Sequence, residues 1–235
     1  MLDVRDYWNF GDPVATRAMF EELLPSLKDR QEQLDVHAQI ARTYSLSGAN
    51  QECLEYMKPV WDEGLALGGR AAASLMIEAG RAYRGLGMIE QAQQGFEEVS
   101  VSGPEDLRVD ALHMLALISE GDHVEFYTQK AITLAKTSKD EWARRWIGSL
   151  YNNMGWHCFE AGELEDALEY FESALLARYE FGQDDRVHEA KWCIGHTLLA
   201  LDRIKDATDL HLEMGGAGDT EEEVRRTFSN RIRLG

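Results

Sequence analysis

The sequence predicts an all-α fold, a solenoid of about five stacked helix pairs, and three observations carry that expectation. Gly80, Tyr83, Gly87, Ala92 and Phe96 return 75 residues later as Gly155, Cys158, Gly162, Ala167 and Phe171, with Tyr151 and Ala174 completing the later copy. Small and large residues at such fixed offsets describe two antiparallel helices in close contact, a unit that must stack on copies of itself to bury its apolar faces. Only four prolines occur among 235 residues, and apolar residues recur at helical spacing on both sides of short glycine turns.

Taken in order, Asp12-Pro13 is a good helix start. The carboxylate can accept orphan amides, and proline at the first helical position loses no hydrogen bond. That helix is expected to run to about Leu24. Leu34, Ile40, Ala41 and Tyr44 mark the next, which stops at Gly48; Cys53, Met57 and Val60 mark its partner, with Pro59 expected to kink it. The second pair runs from about Arg70 to Leu86 and from Ile89 to Val99. The third is weaker: Leu112, Leu115 and Ile118 form one stripe and Phe126, Ala131 and Leu134 another, around a turn at Gly121-Asp122 about two residues short.

The fourth pair is the clearest, with a long first helix expected from about Lys139 to Ala161 and a second from Leu164 to about Phe181. A fifth places Ile194, Gly195 and Leu198 before a turn at Asp202, and Ile204, Ala207 and Leu210 after it. Beyond Gly215-Gly216-Ala217-Gly218, Thr220 and Glu223 form a capping box, acids fill the first turn and Arg231 and Arg233 lie at the end. Val224, Phe228 and Ile232 give this helix one narrow apolar seam, as a terminal cap requires. The expected organisation is a single domain over 1–235, with pairs at about 31–67, 69–104, 105–138, 139–181 and 183–214 and a cap over 219–233.

Composition excludes several function classes. With 42 acids against 24 bases the net charge is -18, which repels a nucleic-acid backbone. No stretch approaches the roughly 20 apolar residues of a membrane helix, and the opening MLDVRDYWNF is unlike a secretory signal. Three scattered cysteines, Cys53, Cys158 and Cys193, point to reduced, buried thiols and a cytoplasmic protein.

At Tyr151, Gly155, Gly162, Ala167, Phe171 and Ala174 the chain resembles the tetratricopeptide repeat (TPR) superfamily, as it does at Gly80, Tyr83, Gly87, Ala92, Phe96 and Pro104. The resemblance is looser at Ala41, Tyr44 and Gly48 and at Gly195 and Ala207. Gly48 to Gly87 spans 39 residues and Gly162 to Asp202 spans 40, longer than the family's usual repeat of about 34. The resemblance implies a right-handed superhelix whose first helices line a concave groove. Carried over, the groove positions are Arg42, Arg81, Arg84, Asn152, Asn153, Trp156, Trp192 and His196. Arginine can hold a carboxylate bidentately and tryptophan can bury an apolar anchor, which suits a protein or peptide ligand. The same residues have a second reading: Trp156 and Trp192 packed by a neighbouring pair or by the terminal helix, and Arg81 paired with Glu78 or another acid. Arg144-Arg145 beside Trp142 and Trp146 reads either as a cation–π ledge or as a solvated helix face. The asparagine and lysine clamp of co-chaperone members is not reproduced.

His157, Cys158, Cys193 and His196 invite a zinc site, but their spacing and core positions speak against it. No nucleophile elbow, phosphate loop or paired-histidine zinc helix occurs. The expected function is therefore a non-enzymatic interaction module without metal or cofactor. A peptide-responsive regulatory sensor and a self-associating homo-oligomeric scaffold are the alternatives.

Overall fold

The structure, a computed structural model, describes residues 4–229, and all regular secondary structure among them is helical. After a 3-10 turn at Val4–Tyr7 come α1 (Pro13–Leu23), α2 (Arg30–Leu46), α3 (Asn50–Leu67), α4 (Gly69–Gly85), α5 (Ile89–Ser102), α6 (Glu105–Ile118) and α7 (Asp122–Thr137). Then follow α8 (Glu141–Arg145), α9 (Ile147–Ala161), α10 (Leu164–Glu180), α11 (Asp184–Ala200), α12 (Ile204–Glu213) and α13 (Glu221–Ser229). Packing divides the chain into two compact units within α7, the first through Ala131 and the second from Ile132. The sequence carries no linker at that point.

In the first unit, Asp12 caps α1 by accepting from the Ala15 amide at 2.9 Å, and Asp29 caps α2 through Glu32 at 3.0 Å. The first helices of successive pairs touch, α2 on α4 and α4 on α6, while α3 and α5 fill the angles between them. One core gathers Leu34, Ala38, Ala41, Cys53, Met57, Val60, Ala71, Leu75, Ala79 and Ala82; a second joins Val4 and Phe20 to Val36 and Ile40. Each large side chain removed from water there contributes about 1.5–3 kcal/mol. α3 runs without a break through Pro59.

Inside a pair, the aromatic residue 16 positions after the small residue closes the crossing. A Cβ on Gly80 would lie 2.5 Å from the Phe96 ring, and one on Gly155 would lie 2.5 Å from the Phe171 ring. These glycines exist for close approach. The turns share a register too: Gly48, Gly87 and Gly162 have φ of +77°, +76° and +82°, and Asp202 takes the same place at +59°.

Two expectations are corrected by the helices. The long helix from Lys139 to Ala161 is divided, because the Trp146 amide turns back to Ala143 and Arg144 in a tighter hydrogen-bonding step between α8 and α9. Phe126, read as part of an apolar stripe, is 53% exposed; Ala131 of that stripe is buried, with Thr128, Ile132 and Ala135 beside it. Ile232, Arg231 and Arg233 lie outside the described residues.

In the second unit α9 and α10 pack on each other, α10 on α11, and α11 on α12 and α13. At Gly195 the pair rule changes. The residue 16 positions on is His211, and Phe228 of α13 fills the hole, its ring occupying the space a Cβ on Gly195 would need.

Candidate functional site

The face formed by α2, α4 and α6 is crossed by charged and polar pairs. Ser74 donates to Asp35 at 2.6 Å, Arg70 reaches Asp106 at 2.7 Å, and Arg81 meets both oxygens of Asp110 at 2.6 and 2.7 Å while also pairing with Glu78. Arg42 stands 3.6 Å from Glu78. Positions four apart on one helix face the same neighbour, so Asp106 and Asp110 of α6 offer successive anchors to α4.

Around Arg81 these pairs condense into a cluster at the mouth of an open pocket of about 500 Å³, lined by Arg42, Ser45, Leu46, Asn50, Arg81, Arg84, Gly85 and Met114. Burial sets its electrostatics. Glu78, 2% exposed, has its pKa raised by desolvation, which Arg81 and Arg42 oppose. Arg42 is lowered by burial and then by Arg81. Burial also lowers Arg81, but Asp110 and Glu78 more than offset it and leave the guanidinium firmly charged. His113 beside them is pushed down to about 4 by burial and stays neutral near pH 7. Arg42 Nε and Glu78 Oε2 are buried without a hydrogen-bond partner among the described residues. Arg84 is exposed and has no ion-pair partner among them. The cluster thus holds three guanidiniums against two carboxylates, a local positive excess in a chain of net charge -18.

Arg42, Arg81 and Arg84 line this one pocket. The structure adds Glu78, Asp110 and His113, of which only the Glu78 pairing was legible beforehand. It also adds Trp8 and Phe10, whose rings stack at 4.9 Å with the Arg42 guanidinium 5.5 Å from each. Asp110 and His113 sit on the weakest repeat, where the short turn hides the register. The i, i+4 spacing of Asp106 and Asp110 was the available signal.

The second unit holds the other groove positions. Asn152 is 6% exposed and accepts from the Cys193 thiol at 3.7 Å; Asn153 is half-buried. Trp156, partly buried, packs edge-on against Phe159 and Phe171 and lies 6.3 Å from Trp192. Trp192, 3% exposed, and His196 are covered by α13: the indole N–H donates to the Thr227 carbonyl at 3.0 Å and His196 Nδ1 to the Phe228 carbonyl at 2.8 Å. Of the two readings of Trp192, the structure displays packing by the terminal helix. Arg145 lies 4.8 Å from the Trp142 ring centre, while Arg144 faces Phe181. Among the described residues no three His, Cys, Asp or Glu side chains converge as metal ligands. Burial pushes the thiols of Cys53 and Cys193 up to about 12, so neither is a ready nucleophile. No helix among the described residues is long and apolar enough to cross a membrane.

A solved structure from Podosopora anserina, described as a kinesin light chain with nearly identical TPR-like repeats, is similar to this chain with a TM-score of 0.53. Identity is 16%, and the match covers 88% of this chain and 100% of that one. No family model and no curated protein matches the sequence. At this identity the likeness speaks of the fold alone. The chain has an all-α, TPR-like helical-repeat fold of the solenoid class.

Proposed function

We propose that this protein is a non-catalytic interaction module that binds an acidic segment of another protein on the face of α2, α4 and α6. The observation that carries the proposal is the surplus guanidinium at the Arg42, Arg81 and Arg84 pocket. Arg81 is held rigid by Asp110 and Glu78, so little side-chain entropy is lost when it accepts a further contact. Arg84 has no ion-pair partner among the described residues, and Leu46 and Met114 give the same pocket an apolar wall. A carboxylate flanked by an aliphatic side chain satisfies both parts. Trp156 contributes as packing behind the second unit's face, with Asn152 and Asn153 beside it. The three buried free thiols suit the cytoplasm, where such thiols stay reduced.

The test uses a phage-displayed library of random 12-residue peptides and one fluorescein-labelled peptide synthesised from the selected pool. Selection is expected to enrich Asp or Glu next to Leu, Ile or Met. Arg84→Glu is expected to weaken the labelled peptide by about tenfold or more, because it reverses an exposed charge without breaking an ion pair among the described residues. Its circular-dichroism melt should match the parent. Equal affinity in parent and variant would remove the pocket from the binding face.

A further inference from the structure

In the second and fourth pairs the helix that follows the turn supplies the aromatic knob over the small residue, Phe96 over Gly80 and Phe171 over Gly155. In the fifth pair that position is His211, and the knob comes from α13 as Phe228, fully buried over Gly195. His211 remains beneath it, 4% exposed, with neither ring nitrogen hydrogen-bonded among the described residues. A buried imidazole left unpaired costs the docked arrangement free energy.

The face of α11 is also built to receive a helix end. The last carbonyls of any helix lack partners within it. Trp192 and His196 direct one N–H each at Thr227 and Phe228, the last turn of α13. Gly195, one step between them on the same face, leaves the hole for an aromatic ring. The receptor is therefore a hole with two donors beside it, and it reads a helix by backbone and by one side chain.

Its occupant also rests on α12, where the His211 ring meets Phe228. α13 is nine residues long, buries Val224 and Phe228, and turns Glu221, Glu222, Arg225 and Arg226 outward. It is joined to α12 through Gly215-Gly216-Ala217-Gly218, where Gly215 and Gly218 have φ of +84° and +92°. Such a glycine run turns with few steric barriers, so a change in direction here disturbs neither helix.

We propose that α13 is an exchangeable element: the receptor on α11 takes the same helix from a second copy of this chain, so that two copies trade α13 across the glycine hinge. A helix that fits its own receptor fits the identical receptor of another copy by the same contacts. Exchange then depends on concentration and on the hinge opening. This inference is independent of the arginine pocket.

The experiment mixes two full-length variants. Phe228→Ala keeps the receptor but loses the knob; Gly195→Val fills the receptor but keeps an intact α13. Exchange predicts that a 1:1 mixture contains a species of twice the 26.6 kDa monomer mass by light scattering, while neither variant alone forms it. A mixture that stays at monomer mass, or either variant pairing alone to the same extent, overturns the proposal. Should a variant fail to fold, the unaltered full chain is titrated into a fluorescein-labelled synthetic peptide of residues 216–235. Saturable binding, about tenfold or more weaker for the peptide carrying Phe228→Ala, supports exchange. Absent binding, or equal binding of both peptides, overturns it.

Discussion

His113 shows how one partly buried residue ties stability to pH. In an unfolded chain its imidazole titrates near 6.5. In the fold, burial pushes it down to about 4, with Arg81, Arg84 and Arg42 acting in the same direction and Asp110 against them. Between those values the unfolded chain binds more protons than the folded one, so stability is complete above about pH 6.5 and is lost as the pH falls toward 4. Glu78 acts in the opposite sense: its folded pKa is raised, so its contribution is present below the ordinary carboxylate value and lost as the pH rises. Urea unfolding at pH 7.5 and pH 4.5 is expected to differ by about 2 kcal/mol more in the parent than in His113→Gln, which removes the histidine's share. Identical pH dependence in the two proteins would show that His113 reaches water in the fold. None of this was legible in the sequence, where His113 is a single histidine on the least regular repeat. The arginines of the same cluster were legible, because Arg42, Arg81 and Arg84 sit at fixed offsets from the small residues and turns that set the helix register.

At the scale of elements, the turns test whether the shared left-handed register is a backbone requirement. Gly162 has φ of +82°, and a Cβ there would meet nothing within 4 Å, so replacing it with alanine changes only the backbone preference. Gly162→Ala is expected to lower stability by about 1 kcal/mol. Asp202 occupies the equivalent position with φ of +59°, and Asp202→Gly is expected to move the other way by a few tenths of a kcal/mol, since relief of strain is partly offset by a freer unfolded chain. Urea denaturation measures both, and a neutral Gly162→Ala would mean that the turn relaxes to another conformation. These turns could be read directly, because glycine is placed there for one local reason. The break at Trp146 could not, since it arises from a step between α8 and α9 that no punctuating residue announces. The seam of α13 was legible at Val224 and Phe228, and cover of Trp192 by this helix was one of two readings, but its address at Gly195 was not legible. The signal for that address was His211, standing where the second and fourth pairs have phenylalanine.

For the molecule as a whole, a net charge of -18 sets repulsion among acids against a set of ion pairs that differ in burial. Exposed pairs such as Lys58–Glu55, Lys205–Asp209 and Arg225–Glu221 each contribute little and are weakened by salt. The partners of Arg81 are buried and therefore screened much less. Repulsion spread over the surface is the larger salt-sensitive quantity, because 42 acids share it with only 24 bases. Raising sodium chloride from about 20 mM, where the Debye length exceeds about 20 Å, to about 500 mM, where it is about 4 Å, should then raise the thermal midpoint by several degrees. A midpoint that falls would mean that the exposed pairs outweigh the repulsion. The same titration separates the surface from the pocket. Binding of the acidic peptide should weaken with salt as long-range attraction is screened, yet retain the part due to direct contact with Arg81, whose carboxylate partners already hold it in place. If affinity vanished in step with the Debye length, the peptide would be reading only the field of Arg84 and its neighbours and not the pocket.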